Sequence, residues 1–192
     1  GIQGLGLAEV SYQNAVIYAK ERLQGRSLSG TKAPEKVADP LIVHPDIRRM
    51  LLASKSFIEA ARALAYDVAY HIDIAESHDD PKVREEADDY VSLMTPIIKA
   101  YLTDYGFETT NHGVQIFGGH GYIVEHGMEQ FVRDARISQI YEGTNGIQAL
   151  DLVGRKLSVH SGRLMRQFFP VIDQFIRDNK ENVGLSDFIQ PL

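Results

Sequence analysis

From Ile47 to Ile72 the chain returns a small or apolar residue every three or four positions, at Ile47, Leu51, Ser54, Ile58, Ala61, Leu64, Val68 and Ile72. An α-helix turns that period toward one buried face. Pro45 suits the first turn of this helix, where its missing N–H would be unpaired in any case, and the pattern carries to roughly Glu76. So long an amphipathic helix needs helical neighbours to bury its stripe, and the rest of the chain supplies them. Leu5, Ala8, Tyr12, Ala15, Ala19 and Leu23 mark a first helix running to about Gln24. Asp80-Pro81, an acidic cap followed by Pro at the first helical position, opens another that reaches Phe117 with a kink expected at Pro96. Gly106 and Gly113 lower its helix propensity, which predicts close approach of a backbone or a ligand.

Turn chemistry joins these helices. Gly25, Gly30, Pro34 and Pro40 break any regular pattern between residues 25 and 44, a connection long enough to have a job of its own. Gly118-Gly119-His120-Gly121 ends the third helix, because glycine reaches positive φ without steric cost. A short irregular or helical segment is expected over residues 125–138. The next helix opens at Thr144 or Asn145, with Gln148 in capping-box register to Asn145 and with Ile147, Leu150, Val153 and Leu157 expected on its buried side. A last helix covers about 160–179. The few β-branched clusters fall inside helical periods, so the predicted fold class is all-α, an up-and-down antiparallel helix bundle.

At 192 residues and 44% apolar composition the chain can bury one good core. Its net charge of -6, with both signs interspersed, offers no basic surface for a phosphate backbone, so no nucleic-acid partner is expected. No apolar run approaches the roughly 20 residues of a membrane-spanning helix, and no basic-then-apolar leader opens the chain. A cytoplasmic protein is expected. The absence of Cys removes disulfides, thiolate chemistry and Cys-ligated metals, and fits a reducing compartment. His112, His120 and His126 do not share a helix face or meet a carboxylate cluster, so no metal is expected. The chain opens at Gly1 inside an amphipathic pattern with no initiating Met, which predicts further functional parts upstream.

Residues 140–145 read Ile-Tyr-Glu-Gly-Thr-Asn, a carboxylate between Tyr and Gly just before a helix start. An acidic residue there can simply favour the positive end of the helix dipole. A second reading makes Glu142 a base: Ile140 and Tyr141 would form a dry wall beside it, and Gly143 leaves room for a carbonyl whose developing charge its N–H could meet. Thr144-Asn145-Gly146 presents hydroxyl and backbone N–H groups at a helix N-terminus, where a phosphate is favoured, although plain capping explains Thr144 and Asn145 equally well. Arg133-Asp134-Ala135-Arg136 could steer an anion or, as the commoner outcome, form an ion-pair cluster that holds its loop.

Four linked motifs in order, Gln115-Ile116-Phe117-Gly118-Gly119-His120-Gly121-Tyr122 with Glu125, Arg133-Asp134-Ala135-Arg136-Ile137, Ile140-Tyr141-Glu142-Gly143-Thr144-Asn145 and Ile147-Gln148, resemble the C-terminal α-helical domain of the acyl-CoA dehydrogenases. The resemblance covers residues 1–157 and includes the end of the first helix at Glu21-Arg22. It implies that Glu142 removes the α-proton of an acyl-CoA thioester while a hydride leaves the β-carbon for FAD. It also implies that Tyr141 and Gly143 line the thioester pocket. Thr144, Asn145 and Gly146 fall where the family holds the flavin pyrophosphate; Arg22 and Gln24 match phosphate contacts from a neighbouring subunit. Gln115, Ile116, Phe117, Gly118 and Gly119 match the stretch that touches the adenosine half across a dimer interface.

The sequence departs from the family pattern in places. Gly146 stands where many relatives carry Gln, so only a backbone contact transfers, and Leu23-Gln24-Gly25-Arg26 lacks the aromatic common after the Arg. Residues 158–192 match nothing in the core family and, with the Gly25–Gly30 loop, resemble longer members that carry an added C-terminal region, some acting on sulfur-containing acyl-CoAs such as 3-methylmercaptopropionyl-CoA. The family also has N-terminal and middle domains that hold much of the flavin, so this chain by itself is expected to be inactive. An electron-transfer flavoprotein is the implied acceptor, and a homodimer or homotetramer the implied assembly. An acyl-CoA oxidase of the same fold and a non-catalytic helical oligomerisation module are the alternatives.

Overall fold

A computed structural model describes residues 1–189; residues 190–192, the end of the expected extension, lie outside the described residues. Helices α1 (Ile2–Glu21), α2 (Pro45–Ser77) and α3 (Pro81–Phe117) are followed by α4 (Gly119–Tyr122), α5 (Met128–Ser138), α6 (Asn145–Asp151), α7 (Arg163–Asn179) and α8 (Ser186–Ile189). Among the described residues there is no strand, only an isolated antiparallel bridge between Leu23 and Pro40. The all-α class read from the sequence is the observed one. Packing divides the chain into two units, Gly1–Asp67 with Ile97–Gln148, and Val68–Pro96 with the residues from Ala149 onward. That division cuts through α2 and α3.

In the first unit the stripes meet as their spacing requires. Leu5 and Ala8 of α1, Phe57, Ile58 and Ala61 of α2 and Leu102 of α3 form one buried cluster. Ala15, Ala19, Met50, Leu51 and Ile116 form a second, closed by Leu41. Each fully buried Leu contributes about 1.5–3 kcal/mol, so these clusters rather than helix propensity hold the helices together. The expected close approach at Gly106 is a crossing of α1 and α3: a Cβ there would lie 2.6 Å from the carbonyl oxygen of Gly4, and one on Gly4 would lie 2.5 Å from that of Leu102. Gly113 is likewise backed by Ser11 and Met128, so packing accounts for it without a ligand. α3 continues through the buried Pro96 without a break.

α1 stops at Glu21, three residues before the expected Gln24, because the returning chain captures its end. Leu41 N donates to Arg22 O, Gln24 N to Asp39 O and Asp39 N to Gly25 O, each at 2.9 Å. The loop between is built on the fully buried Asp39 side chain. Its carboxylate accepts from the N–H groups of Ser27 and Lys32, both at 2.9 Å, and of Ala33 at 2.7 Å, and pairs with Arg26 at 3.3 Å. The Ser27 N–H above all, then those of Ala33 and Lys32 and the Arg26 guanidinium, hold the Asp39 carboxyl at about 2 against the opposing effect of burial.

The second unit contains the later part of α2, the early part of α3, and α7. Leu164 of α7 is buried, and Arg163 beside it reaches α3, with Nη2 donating to Asp89 Oδ1 at 2.8 Å and Nη1 to Glu85 Oε1 at 2.6 Å. Lys156 Nζ donates to Ser92 Oγ at 2.7 Å. The segment expected to continue α6 instead widens into a π-helical turn at Leu152–Lys156, and α7 begins only at Arg163.

Candidate functional site

The hexapeptide at 140–145 links α5 to α6, and its backbone is unusual. Glu142 is in the left-handed region at φ 54°, where a side chain is strained, and Gly143 follows at φ 84°. Such strain persists only where the surroundings fix it. Here Gln148 Nε2 bridges the carbonyl oxygens of Glu142 at 3.3 Å and Gly143 at 3.2 Å. A Cβ on Gly143 would lie 2.7 Å from that same nitrogen, so a side chain there would displace the Gln148 amide as well as strain the positive φ. Among the described residues the N–H groups of Glu142 and Gly143 find no backbone acceptor.

Thr144 is the helix cap, its Oγ1 accepting the Ile147 N–H at 3.4 Å. The capping box expected from Asn145 and Gln148 does not form, because both amides are used elsewhere. Asn145 Nδ2 donates to Asp104 Oδ1 at 2.6 Å and to Thr103 Oγ1 at 2.9 Å, while Lys99 Nζ donates to Asn145 Oδ1 at 2.6 Å. Gln139 Nε2 donates to Asp104 Oδ1 at 2.6 Å, and Asn145 N donates to Gln139 O. Tyr141 is tied through its hydroxyl to Gln3 of α1. The turn carrying Glu142 thus stands on a polar platform from α3. Burial pushes the Lys99 ammonium down from its ordinary value, and the nearby carboxylates of Asp104 and Glu142 oppose that shift.

Two expectations about this segment are corrected. The dry wall beside Glu142 is not formed within this chain: Glu142 is exposed, and Ile140 and Tyr141 are 46% and 41% exposed. Ile147, Leu150, Val153 and Leu157 are not buried either, with Leu150 69% exposed. The charged run in α5 forms no ion-pair cluster among the described residues. Asp134 accepts from Gln130 and Arg136 donates to Gln139, neighbours within the same segment. Gly146 has only Thr144 Oγ1 near its missing Cβ, at 3.8 Å, so the fold tolerates a side chain there.

Most of the remaining candidates come together in a groove of about 460 Å³. Gln24, Gln115, Ile116, Phe117 and Gly118 line it with Tyr18, Leu41 and His44. Tyr18 stacks on Phe117 with ring centroids 3.9 Å apart, and its hydroxyl is 2.8 Å from His120 Nδ1. His44 Nε2 donates to Gln24 O at 2.8 Å and so braces that turn. Gly118, at φ 60° and ψ -137°, is the glycine that ends α3; Gly119 already belongs to α4. Neither Arg22 nor Gly119 lines the groove, and Arg22 is the exposed residue just past the end of α1. Sequence reasoning missed Tyr18 and Lys99. The Lys99, Thr103 and Asp104 spacing puts three polar groups on one face of α3, but their partner at Asn145 is 46 residues from Lys99.

The comparisons agree on one family. Residues 1–157 match the family model described as acyl-CoA dehydrogenase, C-terminal domain. The chain is 44% identical over 172 residues to 3-methylmercaptopropionyl-CoA dehydrogenase of Ruegeria pomeroyi, covering 90% of this chain and 29% of that protein. It is 35% identical over 188 residues to a butyryl-CoA dehydrogenase of Syntrophomonas wolfei, covering 98% of this chain and 30% of that one. The solved butyryl-CoA dehydrogenase from Megasphaera elsdenii superposes with a TM-score of 0.61 at 33% identity, over 80% of this chain and 34% of that structure. The chain therefore spans about a third or less of the length of these relatives. No helix of the described residues is long and apolar enough to cross a membrane.

Proposed function

Because the chain belongs to the acyl-CoA dehydrogenase family, in which it corresponds to the C-terminal domain, we propose that it supplies the catalytic base and one wall of the active site for α,β-dehydrogenation of an acyl-CoA thioester. One observation carries this reading. Glu142, flanked by Tyr141 and Gly143, is held in a strained left-handed turn on a polar platform, a conformation that a merely solvated carboxylate does not require.

In this reading the Glu142 carboxylate takes the α-proton, and the Gly143 N–H, without a backbone acceptor of its own, faces the thioester oxygen as charge develops there. Tyr141 lines the same pocket. FAD, when bound, supplies the acceptor for the hydride that leaves the β-carbon. The chain's own groups suit it: the groove at Gln24 and Gln115–Gly118 offers two exposed amides and an open glycine backbone for the adenosine half, and Arg22 and the Thr144–Gly146 helix start offer donors for phosphates. The wall missing beside Glu142 belongs to parts of a longer protein, so the chain alone is inactive. We assign that protein to the cytoplasm, as a homodimer or homotetramer that passes electrons to an electron-transfer flavoprotein. Residues 1–157 act as the family domain and residues from 158 as an added helical extension.

Glu142→Gln in the full-length enzyme tests the assignment. The variant keeps bound flavin and loses α-proton exchange and turnover, with kcat falling by at least about 100-fold. Near-normal turnover would place the base elsewhere.

A further inference from the structure

We infer that Lys99 is a positioning residue for the base, acting through Asn145 to fix the Glu142 turn. The inference rests on the assignment of Glu142 made above and extends it to a side chain in the middle of α3.

Geometry comes first. Asn145 is the residue at which the strained turn enters α6, and both ends of its amide are committed: Oδ1 to Lys99 at 2.6 Å, Nδ2 to Asp104 at 2.6 Å and Thr103 at 2.9 Å. A short bond from a charged donor is among the stronger polar contacts a side chain makes. Lys99 is only partly exposed, and Gln139 at the end of α5 also donates to Asp104 Oδ1 at 2.6 Å, so the clamp on Asn145 belongs to a network that ties both ends of the 140–145 turn to α3.

In the full-length enzyme Lys99→Met removes the donor to Asn145 Oδ1 and lowers kcat by about tenfold or more through misplacement of the base, with KM little changed. Lys99→Gln, which keeps an amide donor toward Asn145, restores most of kcat. Asn145→Ser withdraws the other end of the clamp and lowers kcat to a similar extent. Flavin absorbance and thermal midpoint are recorded for each variant. An unaltered kcat in Lys99→Met, or a loss that Lys99→Gln does not restore, overturns the clamp. Glu142→Gln is run alongside: if it stays active the assignment of the base has failed, whereas loss of activity there with wild-type behaviour in the other variants refutes Lys99 alone.

Discussion

The crossing of α1 over α3 gives a stability prediction whose sign opposes helix propensity. Replacing Gly106 by Ala in a helix interior would by itself stabilise by about 1 kcal/mol. The new Cβ, however, would lie 2.6 Å from Gly4 O, 2.9 Å from Gly4 C and 3.1 Å from Gly4 Cα. All three are backbone atoms of the facing helix, so no side chain can rotate away. α1 must withdraw by several tenths of an ångström, which loosens Leu5 and Ala8 against Phe57, Ile58 and Leu102. Overpacking of this kind costs about 1–3 kcal/mol, and after the propensity gain a net loss of about 1–2 kcal/mol is expected. Gly4→Ala meets the backbone of Leu102 and Thr103 in the same way. Gly6, two residues on and exposed, has nothing within 4 Å, so Gly6→Ala keeps the propensity gain of about 0.5–1 kcal/mol. Urea unfolding of this chain followed by helical circular dichroism measures all three. Equal m-values with midpoints displaced downward for Gly4→Ala and Gly106→Ala and upward for Gly6→Ala are the expected pattern; a common direction for Gly4 and Gly6 would refute the crossing.

Three further outcomes follow from the site and its supports. The Asp39 carboxyl lies at about 2 rather than 3.8, so its contribution is complete above its unfolded value and is lost as pH falls toward 2; protease cleavage within residues 26–38 accelerates over that window and stays unchanged between pH 5 and pH 8, as roughly expected from the linkage of proton binding to folding. At neutral pH, Asp39→Asn exposes the same loop to cleavage, since an amide cannot accept all three N–H bonds. Arg163→Met leaves the nearly buried Asp89 carboxylate without its cation, and amide exchange of α7 speeds up while that of α1 does not change.

The long helices were legible because several independent signals coincided. Pro45 and Pro81 each open a helix at the expected residue, and α3 ends at Phe117 where the glycines begin. The family motifs were legible as a string of residue types, and the groove brings one of them, Gln115–Gly118, onto one surface with Gln24. Local geometry around Glu142 was less so. Gly143 advertises a positive φ, but nothing in the sequence marks Glu142 as its left-handed neighbour, since that conformation is imposed by Gln148 and Asn145. Thr144 and Asn145 are equally good caps in isolation, and the contacts of Asn145 with α3 decide between them. The stripe at Ile147, Leu150 and Val153 has the period of a buried face yet is exposed, so periodicity described the helix correctly and its surroundings wrongly.

The short bridge from Leu23 to Pro40 bears on how this chain can change over time. It fixes the spacing between the end of α1 and the approach to α2, and Asp39 ties the intervening residues to one another. The span from Ser27 to Val37 is therefore fastened at its base like a cassette. Leu28 and Val37 within it are 94% and 92% exposed and contribute nothing to either core cluster. Since lengthening a closed loop twofold costs only about 0.6 kcal/mol, this span can accept an inserted peptide or an affinity tag beside Leu28 or Val37 while Arg22 and Gln24 keep their places, which makes it a practical handle for labelling the protein.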